Sequence, residues 1–212
     1  MKLIIASNNK HKIKEIKAIL GGAFEEILSM REAGIVHETV EDGATFMENA
    51  RKKAREIAEI SGCPTLADDS GICVDALGGA PGIFSARYAA AGDGNADDEA
   101  NNDLLLKNLS GKADRSAHYT CAMVIAYPDG TETAAEGYMY GTITEGRIGS
   151  GGFGYDPLFR PVGEERTVAE MTDEEKNKIS HRAKALSMLV SKLICHFTNS
   201  LQRFICHCPS FI

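Results

Sequence analysis

Asp68 and Asp69 stand side by side in "LADDSGICVDALGGAPGIFSARYA" (66–89), after a short apolar run and before a Ser-Gly pair. Two adjacent carboxylates there either cap a solvated turn or hold something positive. Glu41 and Asp42 add more carboxylates in "VEDGAT", just ahead of a segment carrying Asn49 and Lys53. At i and i+4 of a helix those two share one stripe. Hard oxygen donors, with no usable set of Cys and His, suit magnesium or manganese rather than zinc. Near the start, "SNNKHK" (7–12) lies between an apolar run and a helical pattern. Backbone amides at a helix N-terminus, with Lys10 and Lys12 beside them, suit phosphate oxygens, although the spacing is not that of a Walker loop. In "GSGGFGYDPLF" (149–159), four glycines in six residues let the backbone approach a ligand closely. Phe153 and Tyr155 offer faces for a planar ring. Lys176, His181 and Arg182 collect donors in "EEKNKISHRAKAL" (174–186). Taken alone, the two helix-start stretches read more simply as solvated polar surface, and the glycine-rich loop equally well as a tight turn with its aromatics in the core.

The elements that must position these residues follow from periodicity. "KLIIAS" predicts a strand, and Ile13, Ile16, Ile19 and Leu20 a helix stopped by the Gly pair at 21–22. The stretch 45–60 predicts a helix with Thr45 and Glu48 as a capping box. "TLA" and "ICVDAL" read as two strands flanking an Asp-Asp turn. Residues 97–109 read as a helix with acidic residues in its first turn, which favours the macrodipole. Residues 117–143 read as strand, Pro-Asp-Gly turn, strand. Residues 180–194 read as a last helix with Ser180 at its N-cap. The order β-α-α-β-β-α-β-β-α predicts an α/β protein with a mixed sheet.

The chain has 212 residues, enough for one large domain or two small lobes around a sizeable core. Its net charge of −7 argues against a polyanionic partner such as nucleic acid. A small anion needs only a local basic site. The apolar run at Leu3 is too short for a signal peptide, and no stretch reaches the roughly 20 apolar residues of a membrane span. Six cysteines without a Cys-x-x-Cys pair read as reduced thiols in a cytoplasmic protein.

The stretches "SNNKHK", "EDGATFMENARKKA", "LADDSGICVDALGGAPGIFSARYA", "GGFGYDPLF" and "EEKNKISHRAKAL" together resemble the inosine triphosphate pyrophosphatases, the Ham1-like family of noncanonical purine nucleoside triphosphate pyrophosphatases. The resemblance runs in that family's order as one domain over 1–194. It implies an elongated α/β fold, two lobes around a long mixed sheet, and an active-site cleft between them. It implies magnesium-dependent hydrolysis of inosine, deoxyinosine and xanthosine triphosphates to the monophosphate and pyrophosphate, by a homodimer. Asp69 matches the proposed catalytic base, and Glu41 and Asp69 match the carboxylates assigned to the metal. Lys53 and Asp68 match further residues tied to catalysis. Ser7, Asn8, Asn9, Lys10, His11 and Lys12 match the triphosphate-binding segment. Ser70, Phe153, Gly154, Tyr155, Asp156, Lys176, His181 and Arg182 match nucleotide-binding positions, with His181 and Arg182 expected to donate to the base carbonyl O6.

The chain also departs from that pattern. Ser7-Asn8-Asn9 stands where many members have Thr-Gly-Asn, and "EDGATF" where Glu-Thr-Gly is frequent, which leaves Glu41 and Asp42 as rival metal ligands. The tail 195–212 has no counterpart in the family and reads as a frayed or non-native extension; its Cys and His spacing fits no strong zinc pattern. A Maf-like pyrophosphatase with another base preference and a non-catalytic nucleotide sensor are the alternatives. The Phe-Gly-Tyr-Asp and Ser-His-Arg elements disfavour the first, and the retained Asp68-Asp69 pair the second.

Overall fold

The computed structural model describes residues 2–22, 24–91 and 94–205, with side chains through 193. Strand β1 (Lys2–Ile5) is apolar and buried along Leu3, Ile4 and Ile5, as a strand covered on both faces must be. It pairs in parallel with β2 (Glu26–Ser29) on one side and β3 (Thr65–Val74) on the other. Antiparallel pairing then runs through β4 (Ser116–Ala126), β5 (Glu132–Ile143) and β6 (Phe159–Pro161), giving a six-stranded mixed sheet in the order β2-β1-β3-β4-β5-β6. The helices are α1 (Lys10–Leu20), α2 (Phe46–Ser61), α3 (Asp98–Asn108), α4 (Asp173–Ile179) and α5 (His181–Ile205). None among the described residues is long and apolar enough to cross a membrane.

Alternation along the strands divides the core. Leu3, Ile5, Leu66 and Met123 face α1 and α5 and pack with Ile16, Leu20, Ala185 and Leu189. Ile4, Ala67, Ala122 and Val124 face the other way, onto Ala50, Ala54 and Ile57 of α2. The far halves of β3, β4 and β5 build a separate core with α3: Ile72, Tyr119, Met139, Tyr155 and Phe159 close on Leu105 and Leu109. The long strands thus carry two lobes, and Asp68 and Asp69 lie where one gives way to the other.

The Asp-Asp turn does not exist. β3 is one strand of ten residues, paired without a break from Thr65↔Ala126 to Val74↔Ala117. The two carboxylates interrupt its apolar run because each has a buried cation to face, so they read as a turn only while those partners are unknown. Two short strands, β2 and β6, and the two-turn helix α4 also escape the periodicity, being too short to show a period. Thr45 caps α2 by accepting from the Glu48 amide at 3.1 Å, but the reciprocal bond of a capping box goes elsewhere: Glu48 accepts from Ala44 N at 2.7 Å. Ser180 caps α5 as expected, accepting from Ala183 N at 3.1 Å. That helix continues beyond residue 194 to Ile205, into the stretch read as a tail; residues 206–212, with Cys206 and Cys208, lie outside the described residues.

Candidate active site

Successive residues of a strand point to opposite faces, and this separates the two aspartates. Asp69 turns toward α2, where Asn49 Nδ2 donates to Oδ2 at 3.1 Å and Lys53 Nζ lies 3.5 Å from Oδ1. Asn49 and Lys53 reach it together because they are one helical turn apart. Lys53 Nζ also meets Glu41 Oε1 at 2.8 Å. Asp42 turns away and pairs with Lys52 at 2.7 Å. Asp68 turns toward α1 and α5, where its Oδ2 meets Lys12 Nζ at 3.2 Å and Arg182 Nη2 at 3.0 Å. Ser70 shares that face: its hydroxyl donates to Asp68 at 3.2 Å and accepts from Arg182 at 2.9 Å.

The environments push the two carboxyls apart. Burial raises Asp69 above the usual carboxylate range, with Lys53 and Lys12 offsetting part of the shift. Burial would raise Asp68 as well, but Lys12, Arg182 and Lys53 outweigh it and hold that carboxyl below its ordinary value. Paired groups separated in this way mark acid–base assignments in many sites. Lys53 is itself raised: burial opposes its charge, and Asp69, Glu41 and Asp68 overcome that.

A cleft of about 870 Å³ opens over Asp69. Ser7, Asn8, Asn9, Lys12, Glu41, Lys53, Asp69, Ser70, Phe153, Gly154, Tyr155, Asp156, Lys176, His181 and Arg182 all line it. Asp68, Lys10 and His11 do not. Asp68 lies beneath the floor, Lys10 is exposed, and His11 acts from outside by stacking on Phe153 at 5.0 Å between ring centroids. The helix start offers fewer free amides than its sequence suggests, because Asn9 Oδ1 already accepts from His11 N at 2.9 Å and Lys12 N at 3.2 Å.

The glycine-rich loop is fixed by Asp156, which accepts from Phe153 N at 3.0 Å and Lys176 Nζ at 2.7 Å. Gly152 has φ +73°, and a Cβ there would come 2.2 Å from Asp156 Oδ2. Burial raises Asp156, with Lys176 opposing. Tyr155 belongs mainly to the core, its hydroxyl donating to Ser85 O at 2.8 Å, which leaves Phe153 as the half-buried ring. Gly137 of β5 lets the start of α5 come close, since a Cβ there would lie 2.2 Å from His181 O. His181 stacks on Tyr119 at 4.7 Å, and its Nδ1 has no partner. Burial, then Arg182 and Lys176, push its pKa well below the ordinary value, so it is neutral at pH 7.

Arg182 is not the open donor that its sequence position suggests. It is 1% exposed, with Nη1 on Glu15 and Nη2 on Asp68 and Ser70. Glu15 was not singled out from the sequence, and neither were Asp98 or residues 37–40, which line the cleft; Arg87, also in the lining, stood out only as part of the Ser-Ala-Arg-Tyr element. The only signal for Glu15 was its place three residues after Lys12 on one helix.

Glu41 and Asp69 converge on one positive charge, the Lys53 ammonium, and are hard oxygen donors. Among the described residues no group of three or more His, Cys, Asp and Glu gathers as a complete metal site. The pair therefore fits a cation of the magnesium type, which is held by one or two carboxylates and completed by phosphate oxygens and water.

The Ham1 family profile matches residues 3–192. A dITP/XTP pyrophosphatase of Streptomyces coelicolor is 50% identical over 193 residues, 89% of this chain and 95% of that protein. A HAM1 protein from Coxiella burnetii superposes with a TM-score of 0.82 at 37% identity, covering 92% of this chain and 98% of that one. The Ham1 protein of Staphylococcus aureus gives 0.81 at 37% identity, covering 92% and 100%. By profile, sequence and fold, the chain belongs to the Ham1 family.

Proposed function

We propose that this chain hydrolyses noncanonical purine nucleoside triphosphates, those of inosine, deoxyinosine and xanthosine, to the monophosphate and pyrophosphate. The observation that carries the reading is the division of labour on β3: Asp69 faces an open cleft with a raised pKa, while Asp68 is locked beneath it by cations. Lys12, Lys53 and the polar Ser7–Asn9 loop line the same cleft and offset phosphate charge. Water adds to phosphorus as the bond to the pyrophosphate leaving group breaks, and Asp69 takes the water's proton. Asn49 and the Ser70 amide, which donates to Asp69 Oδ1 at 3.1 Å, hold the carboxylate in place for that transfer. Glu41 and Asp69 would hold magnesium, which when bound neutralises phosphate charge and polarises the phosphoryl group.

Phe153 supplies a ring face for the base. His181 lines the same cleft, and its neutral imidazole keeps one N–H that can donate to O6 of hypoxanthine or xanthine. Adenine carries a donor there, and a donor facing a donor leaves buried groups unmatched. Guanine also carries O6, so this contact does not reject it. Pyrophosphate release measured over a panel of triphosphates is expected to require magnesium and to rank inosine and xanthosine above guanosine, with adenosine poorest. Release of orthophosphate with a nucleoside diphosphate would overturn the reading. We expect a cytoplasmic homodimer; light scattering showing a monomer at micromolar concentration would contradict the dimer.

A further inference from the structure

Six buried or nearly buried charges form one line beneath the cleft. Asp156 Oδ2 meets Lys176 Nζ at 2.7 Å, and Lys176 Nζ meets Glu15 Oε1 at 2.8 Å. Glu15 Oε2 meets Arg182 Nη1. Arg182 Nη2 meets Asp68 at 3.0 Å, and Asp68 meets Lys12 at 3.2 Å. Signs alternate along the line and cancel over its length. One end is the loop that carries Phe153, whose ring lies 4.5 Å from Lys176 Nζ. The other end is the start of α1 and the strand that carries Asp69.

Glu15 lies in the middle of this line. Lys12, Arg182, Lys176 and Asp156 line the cleft, whereas Glu15 and Asp68 do not, and of these two only Glu15 bridges Lys176 to Arg182. Its side chain is 11% exposed, and its two oxygens meet the two cations that connect the ends. Burying a carboxylate for stability alone is poor design, since apolar residues of similar volume do as well or better. Without the Glu15 charge the line falls into a neutral pair, Asp156–Lys176, and a triad of Arg182, Asp68 and Lys12 with net charge +1. Lys176 and Arg182 then repel each other with nothing between them.

We propose that Glu15 is a positioning residue that ties the ring-binding end of the cleft to its phosphate end, an inference that rests on the hydrolase reading above. It holds Lys176 and Arg182 at a fixed separation, and through them the Phe153 loop and the Asp68–Asp69 strand. A substrate seated on Phe153 then meets phosphate-binding and proton-accepting groups already in register. Misplacement of about 1 Å in such a site lowers turnover roughly 10²-fold.

The test is steady-state pyrophosphate release from inosine triphosphate with magnesium, run well below the melting temperature and normalised to folded protein. Glu15→Gln keeps the shape and removes the charge. It is expected to lower kcat about 10–100-fold with KM within about threefold. Glu15→Asp keeps the charge on a shorter arm and should recover part of kcat, and it carries the test if the first variant does not fold. Unchanged kcat and KM in the folded variants, however far the melting temperature moves, would show a structural role only and overturn the proposal. A rise in KM alone overturns it too, because positioning for reaction acts on kcat. Absence of pyrophosphate release from the unmodified chain would instead overturn the hydrolase reading, and this proposal with it.

Discussion

Asp69→Asn should lower kcat for pyrophosphate release by roughly 10²–10⁴, the usual consequence of losing a general base. The amide is nearly isosteric with the carboxylate but has little basicity. The partners fix the expected side effects. Asn49 Nδ2 and the Ser70 amide bond different oxygens of Asp69, so the single side-chain oxygen of asparagine keeps one of them and its NH2 faces the other, a local cost of about 1–3 kcal/mol. Lys53 loses one of its two close carboxylates and keeps Glu41 at 2.8 Å. Circular dichroism should therefore stay close to that of the unmodified protein, with Tm lower by several degrees, while turnover collapses. Near-normal turnover in the variant would remove Asp69 from the mechanism.

Arg182→Ala should act first on stability. The guanidinium is the shared counter-charge of Glu15 and Asp68, and all three side chains are almost fully buried. Removing one partner of a buried ion pair costs about 3–5 kcal/mol, because the charge left behind is uncompensated. For a chain of this size that corresponds to a loss of roughly 10 °C in Tm. Arg182→Lys keeps the charge but not the fork that reaches both carboxylates, and should fall between. The pH dependence carries the matching sign. Asp68 has a folded-state pKa below its ordinary value of 3.8. Its contribution is thus fully present above about pH 4 and is lost as pH falls below that. The alanine variant should show a smaller loss of stability on acidification from pH 5 to pH 3. A Tm within about 2 °C of the unmodified protein at pH 7 would show that Arg182 does not hold this line together.

What could be read from the sequence depended on the range of the interaction. Helices α1, α2 and α3 and the β4–β5 hairpin were legible because their apolar spacing and caps are local. The site residues were legible as types at intervals, and Asn49 with Lys53 as a helical pair. The continuity of β3 was not, since two adjacent aspartates are tolerable within a buried strand only when cations from α1, α2 and α5 meet them. Those partners lie as far as 114 residues away. Glu15 shows the limit most clearly. In sequence it is one of several charges on an amphipathic helix, and it acquires meaning only from Arg182, 167 residues on. The same distance effect hid from the sequence that Arg182, which lines the cleft, is also the buried counter-charge of Glu15 and Asp68.

The central claim is that Asp69 and its cleft serve to hydrolyse purine triphosphates bearing a carbonyl at position 6. The most direct measurement is kcat/KM for pyrophosphate release from inosine and adenosine triphosphates by the unmodified protein, at saturating magnesium. An unmatched buried donor costs about 1–3 kcal/mol, so inosine triphosphate should be favoured by about 5- to 150-fold. Equal values for the two substrates, or no pyrophosphate from either, would contradict the account.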